Sequence, residues 1–179
     1  MVKLPLVGGC QCGALRYEVS AAPVMVYNCH CTNCQKIGGG AFSTLSDMWR
    51  FTEMLRRGGE LDGQRILSPA MLELLSRNHT GEMPNQVFKY LFAEKHWQQC
   101  PAYLGLGFWG RGEKPTPGPF GDLNSPRTFG GIGRGTTLFW VDPARDISLV
   151  LLSTGLMDEA DNFVRYQTLA DLVISSLVV

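Results

Sequence analysis

Cys29-His30-Cys31-Thr32-Asn33-Cys34, running through Gln35-Lys36-Ile37 into Gly38-Gly39-Gly40-Ala41-Phe42-Ser43, is the stretch from which the rest of the sequence is read. Along an extended chain residues i and i+2 share a face, so the Cys29 and Cys31 thiols point one way and a turn returns Cys34 to them. Three thiolates at about 2.3 Å from a zinc ion leave one tetrahedral position open, as in catalytic rather than closed structural sites. His30 alternates with the cysteine side chains and points outward or behind the ligands instead of joining them.

Outward toward the N-terminus, Gly8-Gly9-Cys10-Gln11-Cys12-Gly13 sets glycines on both sides of a second Cys-x-Cys, a turn whose backbone can approach a metal closely. Ala14 to Ser20 alternates apolar and polar residues with the period of a half-buried strand, Ala21-Ala22-Pro23 interrupts it, and Val24 to Asn28 is a second β-prone run. Five of the six cysteines fall in the first 34 residues, at spacings that suit a metal better than disulfides and call for a reducing compartment. Cys10 and Cys12 are candidate ligands, but two thiolates alone bind zinc poorly. They could recruit Cys100 or join the other three in a single site; otherwise Cys100 is a small buried hydrophobe.

The chain has 179 residues, enough for one ordinary domain or two small ones, and 45% of them are apolar, so a packed core is expected. Sixteen Lys and Arg balance sixteen Asp and Glu without clustering, which argues against a nucleic-acid or membrane-surface partner. The opening run through Val7 is too short for a signal peptide and is broken by Pro5. Ile147 to Leu152 and Leu172 to Val179 fall short of the roughly 20 apolar residues that span a bilayer. A soluble, cytoplasmic protein is expected.

Beyond Gly38 the pattern becomes helical. Thr44 to Arg57 carries an apolar stripe of Met48, Phe51, Met54 and Leu55, with Ser46 as a cap and Gly58-Gly59 as the stop. Ser68-Pro69 opens another helix, with Met71, Leu72, Leu74 and Leu75 as its buried face. Tyr103 to Trp109 has strand character, and Lys114 to Phe120 is a proline-rich loop. Thr136 to Val141 and Ile147 to Ser153 are strands joined by Asp142-Pro143-Ala144-Arg145-Asp146, and Asn162 to Leu177 is an amphipathic helix. The glycines at 131, 133 and 135 read as a bend before a strand, not a phosphate cradle, because no helix start follows. Trp97, Trp109 and Trp140 are packing aromatics, His79 and His96 ordinary polar residues, and Arg16 and Lys36 cations able to attract carboxylates.

Gly9-Cys10-Gln11-Cys12-Gly13-Ala14-Leu15-Arg16-Tyr17-Glu18, then Cys29 to Cys34, then Gly39-Gly40-Ala41-Phe42, resemble the glutathione-dependent formaldehyde-activating enzymes and centromere-protein-V-like proteins, a small zinc-binding β fold. The resemblance implies that the first Cys-x-Cys meets a downstream Cys-x-x-Cys to close a structural zinc site. It implies that Cys29, Cys31 and Cys34 form the second, catalytic one. Metal ligands would be Cys10, Cys12, Cys29, Cys31 and Cys34, and the substrate a glutathione-type thiol–aldehyde adduct whose carbon–sulfur bond is made or broken. This sequence has no downstream Cys-x-x-Cys.

A second resemblance covers the rest of the chain. Gly38 to Thr44, Phe51 to Gly63, Ile66-Leu67-Ser68-Pro69 and Trp140 to Asp146 are similar to the C-terminal part of serine β-lactamase-related hydrolases, including esterases and penicillin-binding-protein relatives. Their nucleophile lies in a Ser-x-x-Lys, which does not occur here. Their third motif, a Lys, His or Trp on a core strand, should fall near Phe129 to Gly133, where only Phe129 or Gly131 is available. The expected architecture is α+β: a zinc-binding β module over residues 1–42, then a partial α/β sandwich of the serine β-lactamase type over 38–179, antiparallel strands with the C-terminal helix across them. Such a sheet has an open edge, which Ala14 to Val19 and Val24 to Asn28 would close by docking beside Ile147 to Ser153.

Overall fold

The computed structural model describes residues 5–9, 16–20, 43–133, 136–155 and 157–177. The chain divides into two compact units, Met1–Ala41 and Phe42–Val179. In the first, β1 (Leu6–Gly9) pairs antiparallel with β2 (Arg16–Val19), from Leu6 opposite Val19 to Gly9 opposite Arg16. The strand expected over 14–20 is therefore present, but its partner is the segment before the first cysteines, and the two make a sheet of their own. The pairing expected between that strand and Ile147 to Ser153 is not among the described ones: β2 is paired with β1 in a two-stranded sheet, and Ile147–Leu151 belongs to another sheet. Val24 to Asn28 lies outside the described residues.

The second unit opens with α1 (Leu45–Arg56). Its cap is Thr44, not Ser46: Thr44 is extended, and its Oγ1 accepts from the Asp47 amide at 3.1 Å, whereas Ser46 is already inside the helix. The stop is as expected, with Gly58 and Gly59 at φ +71° and +94°. A Cβ on Gly59 would lie 2.2 Å from the Leu67 carbonyl, so glycine is required there. Next, β3 (Glu60–Leu61) and β4 (Gln64–Arg65) form a hairpin about Asp62-Gly63. In α2 (Pro69–Ser76), Ser68 Oγ caps the Met71 amide at 3.1 Å. The buried face expected of α2 is absent: none of its residues is buried, because only its Leu72 side packs on the core. A short α3 (Lys89–Glu94) follows.

The main sheet has the order β5-β6-β7-β8, from β5 (Trp109–Gly110), β6 (Phe129–Gly133), β7 (Thr137–Asp142) and β8 (Ile147–Leu151), all antiparallel. Strand alternation sends its side chains to two layers. On one face Phe129 and Val141 pack with Met54 and Leu55 of α1. On the other, Leu138 and Trp140 pack with Tyr166 and Ala170 of α4 (Glu159–Ser175), which Asp158 caps. A third cluster joins Phe88, Leu91 and Phe92 to Phe163. The strand expected over Tyr103 to Trp109 shrinks to β5, since Tyr103 and Gly107 both have positive φ. Among the described residues no helix is long and apolar enough to cross a membrane.

Candidate functional site

Two places were marked by the sequence: the N-terminal cysteines and the strand where the hydrolase motif should stand. Cys10, Cys12, Cys29, Cys31, Cys34 and His30 lie outside the described residues, as does Lys36. What is described around them is the pairing of Gly9 with Arg16. Arg16 and Glu18 are exposed on β2. Among the described residues no three His, Cys, Asp or Glu gather closely enough to hold a metal ion.

The second place is fully described. Gly131 lies on β6, paired with Phe139 of β7, and a Cβ on it would meet the Phe139 ring at 2.8 Å. Phe139 is in turn held edge-on by Phe51 and Phe108, at centroid distances of 5.7 and 6.3 Å. Of the two residues available to that motif, Phe129 is a buried core ring and Gly131 is a glycine against the Phe139 ring. An ammonium or imidazole there would displace that ring, so the strand presents packing instead of acid–base chemistry.

The ends of this strand pair are fixed by buried charge. Asp142, at 0% exposure, accepts from the Ser125 amide at 2.7 Å, from Ser125 Oγ, from the Ala144 amide at 3.0 Å and from Arg145 at 3.0 Å. Burial pushes its carboxyl up, and these donors outweigh that and hold it below the usual range. Glu53 on α1 accepts from Arg56 at 2.6 and 2.7 Å and from Arg57 at 2.6 Å, while Arg56 also reaches the Asp146 carboxylate in the β7–β8 turn. The Arg56 bond, against the opposing effect of burial and aided by Arg57, lowers the Glu53 carboxyl from 4.5 to about 2. Both are structural clamps with every oxygen engaged.

Cys100 is buried in the Phe88, Phe92 and Phe163 cluster, the small-hydrophobe alternative. Burial raises its thiol, partly offset by a hydrogen bond from the Thr116 side chain. His79 is exposed, with Nε2 2.7 Å from the Leu74 carbonyl, and His96 is exposed at a positive φ. Trp140 is fully buried, and Trp97 and Trp109 pack against the clusters. Gly131 and Gly133 belong to β6, not to a bend before β7, and their missing side chains leave room for the Phe139 ring and the Thr137 hydroxyl; Gly135 lies outside the described residues.

Comparison with known proteins finds two likenesses. Residues 5–63 match the family model for glutathione-dependent formaldehyde-activating enzyme. The fold is similar to a crystal structure described as a beta-lactamase (Mb2281c) from Mycobacterium bovis, with a TM-score of 0.60 and 27% identity, covering 74% of this chain and 44% of that one. Protein Rv1367c of Mycobacterium tuberculosis is 29% identical over 154 residues, 77% of this chain and 32% of that protein. The uncharacterized protein MT1414 of another strain gives the same figures. The chain thus spans about a third of the length of the curated relatives it matches. It carries a formaldehyde-activating-type segment at its N-terminus, followed by a β-lactamase-like region.

Proposed function

We propose that the chain is a zinc-dependent carbon–sulfur lyase acting on a glutathione–aldehyde adduct in the cytoplasm, with Cys29, Cys31 and Cys34 as its catalytic ligand set. The observation that supports this most is the match over residues 5–63, which contains all five N-terminal cysteines. The donor set fits the ion: soft thiolates at Cys-x-Cys-x-x-Cys spacing are what zinc selects. When bound, zinc would supply Lewis acidity toward a carbonyl or a thiolate. The three cysteines would hold it and leave a position for the substrate, and Cys10 and Cys12 are the remaining metal-binding thiols. The domain division that goes with this reading is a zinc-binding β module over 1–42 and the hydrolase-related part over 38–179.

A second reading is favoured by Gly131 and by the missing Ser-x-x-Lys: the β-lactamase-like region is a folded but non-hydrolytic body, and the chain binds metal without catalysis. Elemental analysis of purified wild type and Cys31→Ser, with glutathione-dependent formaldehyde turnover, tests both. The lyase reading expects zinc and turnover in wild type and neither in Cys31→Ser. Zinc without turnover leaves the binding protein, and wild type without zinc removes both.

A further inference from the structure

We infer that the chain holds a single thiolate zinc site, at Cys29, Cys31 and Cys34, and lacks the second one that its resemblance to the formaldehyde-activating family implies. This rests on the zinc reading above. Two sites of the family's kind draw on a Cys-x-Cys with a Cys-x-x-Cys, and on a Cys-x-Cys-x-x-Cys, seven thiols in all. The sequence has six, and the only cysteine after position 34 is Cys100. Closure by a thiol of a second site around Cys10 and Cys12, separate from Cys29, Cys31 and Cys34, would therefore have to use Cys100.

The structure gives Cys100 another task. It is 9% exposed and packed among Phe88, Leu91, Phe92, Ala160 and Phe163, in the core of the 42–179 unit. Its backbone is pinned on both sides: the Cys100 carbonyl accepts from the Asn85 amide at 3.0 Å, Pro101 bridges to Pro84, and the Ala102 amide donates to the Met83 carbonyl at 3.0 Å. To ligate zinc the sulfur must be a thiolate. An apolar surrounding opposes that charge, and the Thr116 hydroxyl and the residue's own backbone amide offset this only in part. Drawing the sulfur out to a metal would break its packing in the cluster of Phe88, Phe92 and Phe163. Cys10 and Cys12 are left as two thiolates, too few to hold a tetrahedral zinc of their own.

The test is zinc content of the full chain, as wild type and as Cys100→Ala, by elemental analysis against protein concentration. The inference expects one zinc per chain in both. Two per chain in wild type, or a fall on Cys100→Ala, overturns it. Should Cys100→Ala not fold, thiol labelling of wild type followed by peptide mapping decides the matter. Cys100 stays unlabelled with and without a chelator if it is a core residue; labelling that appears only on zinc removal marks it as a ligand and overturns the inference. Wild type with no zinc would overturn instead the reading on which this one rests.

Discussion

The two units of this chain differ in the packing their described residues make. Among its described residues the first has only a pair of four-residue strands, with Val7 74% exposed. A lone hairpin is at best marginally stable in water. The second wraps a four-stranded sheet between α1 and α4 and drives Trp140 and Val141 to 0% exposure. One unit has cysteines where the other has aromatic rings. On the zinc reading proposed above, the difference teaches that cross-linking by metal would substitute for core volume in the small module.

If the first unit takes its stability from metal, Cys31→Ser should have the largest effect. Zinc binding contributes on the order of 10 kcal/mol to small zinc folds. Limited trypsin digestion of this variant should then cut at Arg16 and Lys36 while sites beyond Phe42 stay protected. Equal resistance of wild type and variant at Arg16 and Lys36 breaks the comparison.

The second unit should fail by cavity formation instead. Trp140→Ala removes a fully buried side chain from between β7 and α4 and should cost about 3–5 kcal/mol in urea unfolding, with zinc content unchanged. Loss of zinc together with stability would show that the two units are not separately held.

Glu53→Gln sharpens the account of the second unit, because it removes the charge that ties Arg56 and Arg57 together and should cost about 2 kcal/mol at pH 7. The folded carboxyl is depressed to about 2 from 4.5. Its contribution is therefore complete above about 4.5 and disappears as pH falls through about 2. Urea midpoints of wild type and variant should converge over that window and not between pH 5 and 8.

Thr44→Ala is the mildest, about 1 kcal/mol for a lost cap, while Ser46→Ala should leave the thermal midpoint within error. A larger effect at Ser46 would restore the cap that the sequence pattern favoured.

That misplaced cap illustrates what was legible. Periodicity located α1, β7, β8 and α4, because each has a continuous apolar stripe and a stop signal. Asp62-Gly63 carried a readable turn signal for the β3–β4 hairpin, at φ +51° and +73°, but two-residue strands have no alternation to notice. Leu6–Gly9 was hidden because Gly8 and Gly9 are weak strand formers, and its pairing with β2 is a non-local fact. In α3, six residues with only Leu91 and Phe92 buried are too few to show a period. The site divides likewise. Cysteine spacing is local and visible, and the absence of Ser-x-x-Lys is too. The Phe139 ring over Gly131 depends on cross-strand register and the burial of Cys100 on packing, so neither could be read along the chain.

Hydrogen exchange of the wild-type chain, followed by mass spectrometry of its peptides before and after zinc is stripped with a chelator, tests the central claim most directly. Peptides within 1–41 should lose protection while those spanning β6, β7 and α4 keep theirs. Unchanged exchange across 1–41, or loss throughout 42–179 as well, would contradict it.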